Sequence, residues 1–258
     1  MRIVPGAQNS GVTFMRALRF PCLALFATIM FLHGPDQAAA QPGPPPQAPP
    51  RTAPAPAWPA DIDPKSGFRL PLLRREELDE AGRKTYDRGA VPGANIAGLQ
   101  GPAGIQLYST YVTQQLGTVS KYLRDDAGFT PRVREIGFLT TSREMDNQFE
   151  WTAHEPVALA AGVPASVIDV IKYKKSPQGL DEQDAVIIEL GRAIWSDHKV
   201  PPELFVRAKA SFGPKMLVDL VLLMGHHATI AALLTTFDMQ LHKGKEPLLP
   251  ELDGDTAA

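Results

Sequence analysis

Glu150 and His154 are the two residues of this sequence best suited to moving protons. Four residues apart, they lie side by side on a helix turning 100° per residue. Val157, Ala158 and Ala161 continue the same stripe, within about 80° of Glu150. On a solvated face this spacing is an ordinary surface pair. On a buried face an acid and an imidazole must be paired or put to use. The small-residue stripe turns both inward and sets the two readings level.

Other residues add to the pair. His226 and His227 are placed to reach the same pocket, although a core or interface histidine is the ordinary reading of each. His227 and Trp151 are carried with Asn147 as candidate substrate contacts. Tyr108, Tyr111 and Trp151 otherwise read as core side chains.

Helices must position these groups. Thr130-Pro131 is an N-cap followed by proline at the first helical position, starting a helix through about Met145. The next helix spans roughly 147–161 and closes at Gly162. Pro156 lacks the N–H that would bond the carbonyl of Thr152, so a kink is expected just past His154. Shorter helices follow at 164–174 and 181–196, then one from Pro201 or Pro202 and a last at about 214–240. Upstream, apolar and aromatic residues at 105, 108, 111, 112, 116, 119, 122 and 123 form a helical stripe. Strand-like alternation bounded by turns is not found. The expected fold class is all-α, a helical bundle.

The last of these helices is long and apolar. A transmembrane reading puts Asp219, His226 and His227 in lipid, at a few kcal/mol each. Burial in a bundle or at a subunit interface suits them better.

The chain has 258 residues and a formal charge of −2, with no basic excess to hold a phosphate backbone, so nucleic acid is not an expected partner. Residues 1–40 read as a signal peptide: Arg16 and Arg19 precede the apolar run 20–32, and Ala38 and Ala40 supply an A-x-A cleavage site. That run is too short to span a bilayer, so no stable membrane insertion is expected after cleavage. Starts at Met1 and at Met15 serve this reading equally. Cleavage after Ala40 leaves a charge of −4 and removes Cys22, the one cysteine. The mature chain then has no disulfide, no thiolate nucleophile and no thiol redox chemistry. Residues 41–66 read as a Pro/Ala-rich linker, with nine prolines in positions 41–60 favouring a semi-rigid spacer. The folded domain is expected over 67–249, with an acidic tail at 250–258. The expected location is periplasmic or secreted.

Residues 131–162 carry a family resemblance. Arg132-Val133-Arg134-Glu135, then Asn147 with Glu150-Trp151 and His154, then an Ala-rich stretch and Gly162, resemble the carboxymuconolactone decarboxylase family. That family shares its fold with the alkyl hydroperoxidase D-like proteins, and the resemblance covers most of 99–240. It implies an alkyl hydroperoxidase D-like helical fold. In the hydroperoxidase branch a glutamate stands nineteen residues before the histidine, and two cysteines stand seven and four before it. Glu135 and His154 occupy the glutamate and histidine positions, whereas Asn147 and Glu150 replace the cysteines. Both redox sulfurs are gone, so a peroxidase label has no chemical support here. The resemblance points instead to the decarboxylase-like branch, whose members act on carboxylated lactones or similar small acids without a metal or organic cofactor. Its members assemble in threes and sixes, and the apolar final helix also asks for a partner, so a homotrimer or homohexamer is expected.

The chemistry expected is acid–base. His154 is assigned general acid–base catalysis, with Glu150 orienting its other nitrogen and Glu135 as the second carboxylate; no metal and no cofactor is expected. Two other classes remain. A metal site can be drawn from Glu135, Glu150, His154 and His227, although Glu-x-x-x-His is not the Glu-x-x-His spacing of di-iron bundles. A secreted, non-catalytic small-molecule-binding protein could also keep the fold and lose the chemistry.

Overall fold

The computed structural model describes residues 58–91 and 97–252. The proposed signal peptide, most of the Pro/Ala-rich linker and residues 253–258 of the tail lie outside them. Among the described residues there are helices and no strands, so the domain is all-α.

The helices are α1 (Glu80–Ala90), α2 (Pro102–Gln106), α3 (Thr110–Lys121), α4 (Pro131–Glu144), α5 (Gln148–Ala160), α6 (Ala165–Lys172), α7 (Glu182–Trp195) and α8 (Pro202–Thr236). A π-helical turn, Tyr122–Asp126, follows α3 directly. Helix α4 lies at the centre and packs against α5, α6, α7 and α8. Its start is set locally: the Thr130 hydroxyl accepts from the Val133 N–H at 3.2 Å, and Pro131 needs no partner there. Every residue from Glu135 to Arg143 is buried, which is why α4 shows so little amphipathic pattern in the sequence. Around it, Ile136, Leu139, Val186, Ile187, Ile188, Leu220 and Met224 form the main core.

Two contacts fix how α4 meets α7. Arg132 donates through both terminal nitrogens to Asp184, at 2.6 and 2.5 Å, joining the first turns of the two helices. One turn from the other end, a Cβ added to Gly191 would lie 2.3 Å from the Thr140 methyl, so only glycine allows this approach.

Helix α5 stays helical through Pro156. Helix α8 joins two of the expected helices. Gly213, at φ 70° and ψ 166°, breaks the rod, and Pro214 opens the second part. By length and composition α8 alone among the described residues could cross a membrane. Here it packs on α4 and α7, and Asp219 and His227 are buried.

Three expectations need correction. The folded part begins before Gly67: Ile62 and Ser66 are buried, and the N–H of Arg69 donates to the Phe237 carbonyl at the end of α8. Residues 58–66 therefore belong to the domain and not to the linker. At the other end, the Pro250 carbonyl accepts from Arg143, so the tail is still attached at its first residue. The stripe 105–123 is neither one helix nor mainly core. It is divided among α2, a 3-10 turn, α3 and the π-turn, and Tyr108, Tyr111, Val112 and Val119 are exposed. Only Ile105 and Leu123 of the stripe are deeply buried, because this layer covers the bundle from one side only.

Candidate functional site

The cap that starts α5 also places its acid. Asn147 takes the N-cap, and its side-chain oxygen accepts from the Glu150 N–H at 3.0 Å. Its amide nitrogen donates to the Ala231 carbonyl and to Thr235 Oγ1 at 3.1 and 3.2 Å, tying α5 to α8. Asn147 is thus fully engaged in structure, and its amide does not face the cavity described below. Trp151 turns the other way into the main core, with Nε1 donating to Glu155 at 2.5 Å.

One turn further, His154 faces α4. Its Nδ1 lies 2.7 Å from Glu135 Oε2, and its Nε2 lies 3.3 Å from Glu150 Oε2. The imidazole is held between two carboxylates, and all three side chains are about 95 % buried. The sequence-based assignment had Glu150 as the orienting acid. The shorter contact is to Glu135, which reaches across from α4 and fixes the ring.

His227, from α8, completes the cluster. Its Nε2 is 3.0 Å from Ser142 Oγ and 3.5 Å from Glu150 Oε2. The Ser142 hydroxyl donates to the Phe138 carbonyl at 2.8 Å, so it accepts from His227, which assigns the proton to Nε2. The Phe138 ring packs against both imidazoles, 4.9 Å from His154 and stacked 4.6 Å from His227. Spacing pointed to neither Ser142 nor Phe138. Both lie on α4 within two turns of Glu135, and only the crossing of α4 with α8 brings them to a histidine 85 residues away.

These groups line a cavity of about 670 Å³. Its walls come from α1, α2, α3, the π-turn, α4, α5 and α8. Glu135, Glu150, His154, Val157, His226 and His227 all border it, as do Arg88, Arg124 and Arg134. Ala158 does not; it is core. Of the three arginines, only Arg134 stood in a motif read from the sequence, and no role was assigned to it there.

Burial opposes charge at His154, but its bonds to Glu135 and Glu150, and their fields, outweigh burial and raise its pKa to about 9. Burial also works against ionised Glu150; the imidazoles of His227 and His154 overcome it and hold that carboxyl below its ordinary range. At His227 burial wins and lowers the pKa to about 3, so the ring is neutral. At neutral pH His154 is thus an imidazolium beside a neutral His227.

These shifts set opposite slopes of stability with pH. His154 binds its proton more tightly in the fold, so its contribution is complete below about pH 6.5 and is lost as pH rises through 9. His227 binds its proton more weakly in the fold, and stability falls as pH drops from 6.5 toward 3. The depressed Glu150 carboxyl adds to the loss in acid. Thermal unfolding should therefore show its highest midpoint near pH 6.5, and His154→Gln should remove the alkaline decline. A wild-type midpoint constant between pH 6.5 and 9.5 would contradict this assignment.

Comparison with models of protein families, with curated proteins and with solved structures found no match to this chain.

Proposed function

We propose that the cavity is a cofactor-free acid–base site for a small carboxylated, lactone-type substrate, on a fold of the carboxymuconolactone decarboxylase kind. The observation that carries this reading is the buried imidazolium of His154, gripped on Nδ1 and loosely faced on Nε2, at the wall of a substrate-sized cavity. Arg88, Arg124 and Arg134 on the same walls supply positive charge suited to an acid.

Glu135 holds Nδ1–H, so the transferable proton is the one on Nε2. In decarboxylation the bond to the departing carboxylate breaks, and its electron pair moves toward the unsaturated lactone carbonyl. The Nε2 proton passes to carbon, carbon dioxide leaves, and the neutral imidazole regains a proton from water. Glu150 favours the imidazolium between turnovers.

The reading extends to the whole protein: an exported, homo-oligomeric enzyme. Its support for assembly is the apolar surface left open on α3 (Tyr111, Val112) and α8 (Phe205, Val206, Val218, Leu222). A trimer or hexamer would cover these faces.

A second reading rests on one geometric fact. The ligand atoms of Glu150, His154 and His227 lie within 4.8 Å of one another, and Glu135 backs His154 as an outer carboxylate would back a metal ligand. A divalent ion there would require His227 to give up the Nε2 proton it shares with Ser142.

Full-length protein, assayed with a panel of unsaturated lactone carboxylates, should release carbon dioxide with no added metal. Metal content measured on the same preparation separates the two readings. A stoichiometric bound ion needed for turnover would favour the second, and folded protein inert to every acid would leave a binding protein.

A further inference from the structure

We infer that Arg124 is the residue that selects a carboxylate in this cavity, anchoring it beside the histidine cluster. This rests on the reading of the cavity as a substrate site and adds how that site recognises its ligand.

The π-turn presents the residue. A π-turn inserts one residue into a helical path and recurs at functional positions. Here the turn is closed by the Ala127 N–H on the Tyr122 carbonyl at 2.8 Å. It is fastened from outside, because the Tyr122 hydroxyl donates to Asp219 at 3.1 Å and accepts from Lys215 at 2.7 Å. From inside, Arg134 donates to the backbone carbonyl of Arg124. The π-turn is thus held at three points: the Tyr122 carbonyl, the Tyr122 hydroxyl and the Arg124 carbonyl.

Its guanidinium rests over the Phe138 ring, 5.1 Å from the centroid. That same ring touches His154 and His227, so the cation stands one ring away from the acid–base groups. What it lacks is an anion. The two acids beside it in the chain, Asp125 and Asp126, are both paired to Lys121, at 3.3 and 3.6 Å. Arg132, Arg143 and Arg207 each face a carboxylate, whereas Arg124, like Arg88 and Arg134 on the same cavity, forms no ion pair among the described residues; of the three it alone rests on the ring shared by both histidines. Arg134 adds a buried Nε with no partner. An exposed guanidinium fork, resting over Phe138 on the cavity wall with no side-chain hydrogen bond among the described residues, matches the two oxygens of a carboxylate. A carboxylate bound in this way is stabilised against loss, so it anchors the substrate and the carboxylate that departs is a second one.

The test is binding, read apart from turnover. Full-length wild type, Arg124→Gln, Arg124→Lys and His154→Gln are titrated calorimetrically with benzoate, a butyrolactone carboxylate and muconate, and with the methyl ester of each. At least one acid should bind wild type roughly 10- to 100-fold more tightly than its ester. Arg124→Gln should erase that preference and leave ester affinity unchanged. Arg124→Lys, which keeps the charge without the fork, should restore part of it. His154→Gln should keep the preference whatever it does to turnover, so failure of the acid–base reading stays distinguishable. No binding of any acid, equal binding of acids and esters, or a preference that survives Arg124→Gln overturns the inference.

Discussion

His154→Gln should lower turnover by about 10²–10⁴-fold in protein that remains folded, the usual size of a general acid–base contribution. Glutamine keeps a polar side chain between Glu135 and Glu150 but holds no proton to transfer near neutral pH. Glu135→Gln should approach the same loss. It replaces the 2.7 Å acceptor that fixes the ring and weakens one of the two partners that keep the imidazole charged. The pH profile gives a readout that a merely structural role would not move. The alkaline limb of turnover in wild type should follow the raised His154 pKa of about 9, and Glu135→Gln should shift that limb to lower pH. The pairs act as units, so Glu150→Gln with His154→Gln should cost little more than the worse single change. Fully additive losses, or unchanged turnover on an identified substrate, would remove His154 from the mechanism and put the binding-protein reading first.

The largest expected effect on stability lies away from the cavity. Arg132→Met should destabilise the domain by about 3 kcal/mol, because it leaves Asp184 buried and ionised without its partner. Asp184 is 1 % exposed, while the Arg132 side chain is 28 % exposed. Water therefore reaches one side of the pair, which places the cost at the lower end of the range for breaking a buried bridge. Converting Asp184 to Asn in the same protein should recover part of the loss by removing the stranded charge. Urea midpoints of the single and double variants check both statements. A single variant within 0.5 kcal/mol of wild type, about the scatter of an ordinary surface change, would mean that solvent or a neighbour already satisfies Asp184.

The helices from 131 to 195 were legible because their ends carry local chemistry. Thr130 caps, Pro131 starts, and Gly162 stops, each acting within a few residues of its own position. The layer before them was not. Its stripe from Ile105 to Leu123 has helical spacing, yet spacing records only that residues share a face, not whether that face is covered. Tyr111 is on the stripe and 75 % exposed. The acid–imidazole pair of α5 was legible for the same reason as the caps, since four residues along a helix are neighbours by construction. The close contact of Glu135 with His154 depends on how α4 crosses α5, and no periodicity encodes a crossing. It was approached only through the family resemblance. Arg124 was hidden for a third reason. It lies where the helix changes pitch, and a reading at a constant 100° per residue assigns it the wrong direction.

The interruption at Gly213 and Pro214 works as a clutch in α8. An unbroken helix is a rigid screw, in which one inserted residue turns everything beyond it by 100°. The left-handed backbone at Gly213 uncouples the rotation of the two halves. Leu204, Ala208 and Phe212 keep one angular setting, while Leu220, Met224, His227 and Ala231 keep another. Changes of length before residue 213 can therefore be absorbed without rotating His227 away from Ser142 and Glu150. The half that carries His227 is mechanically insulated from the half that does not.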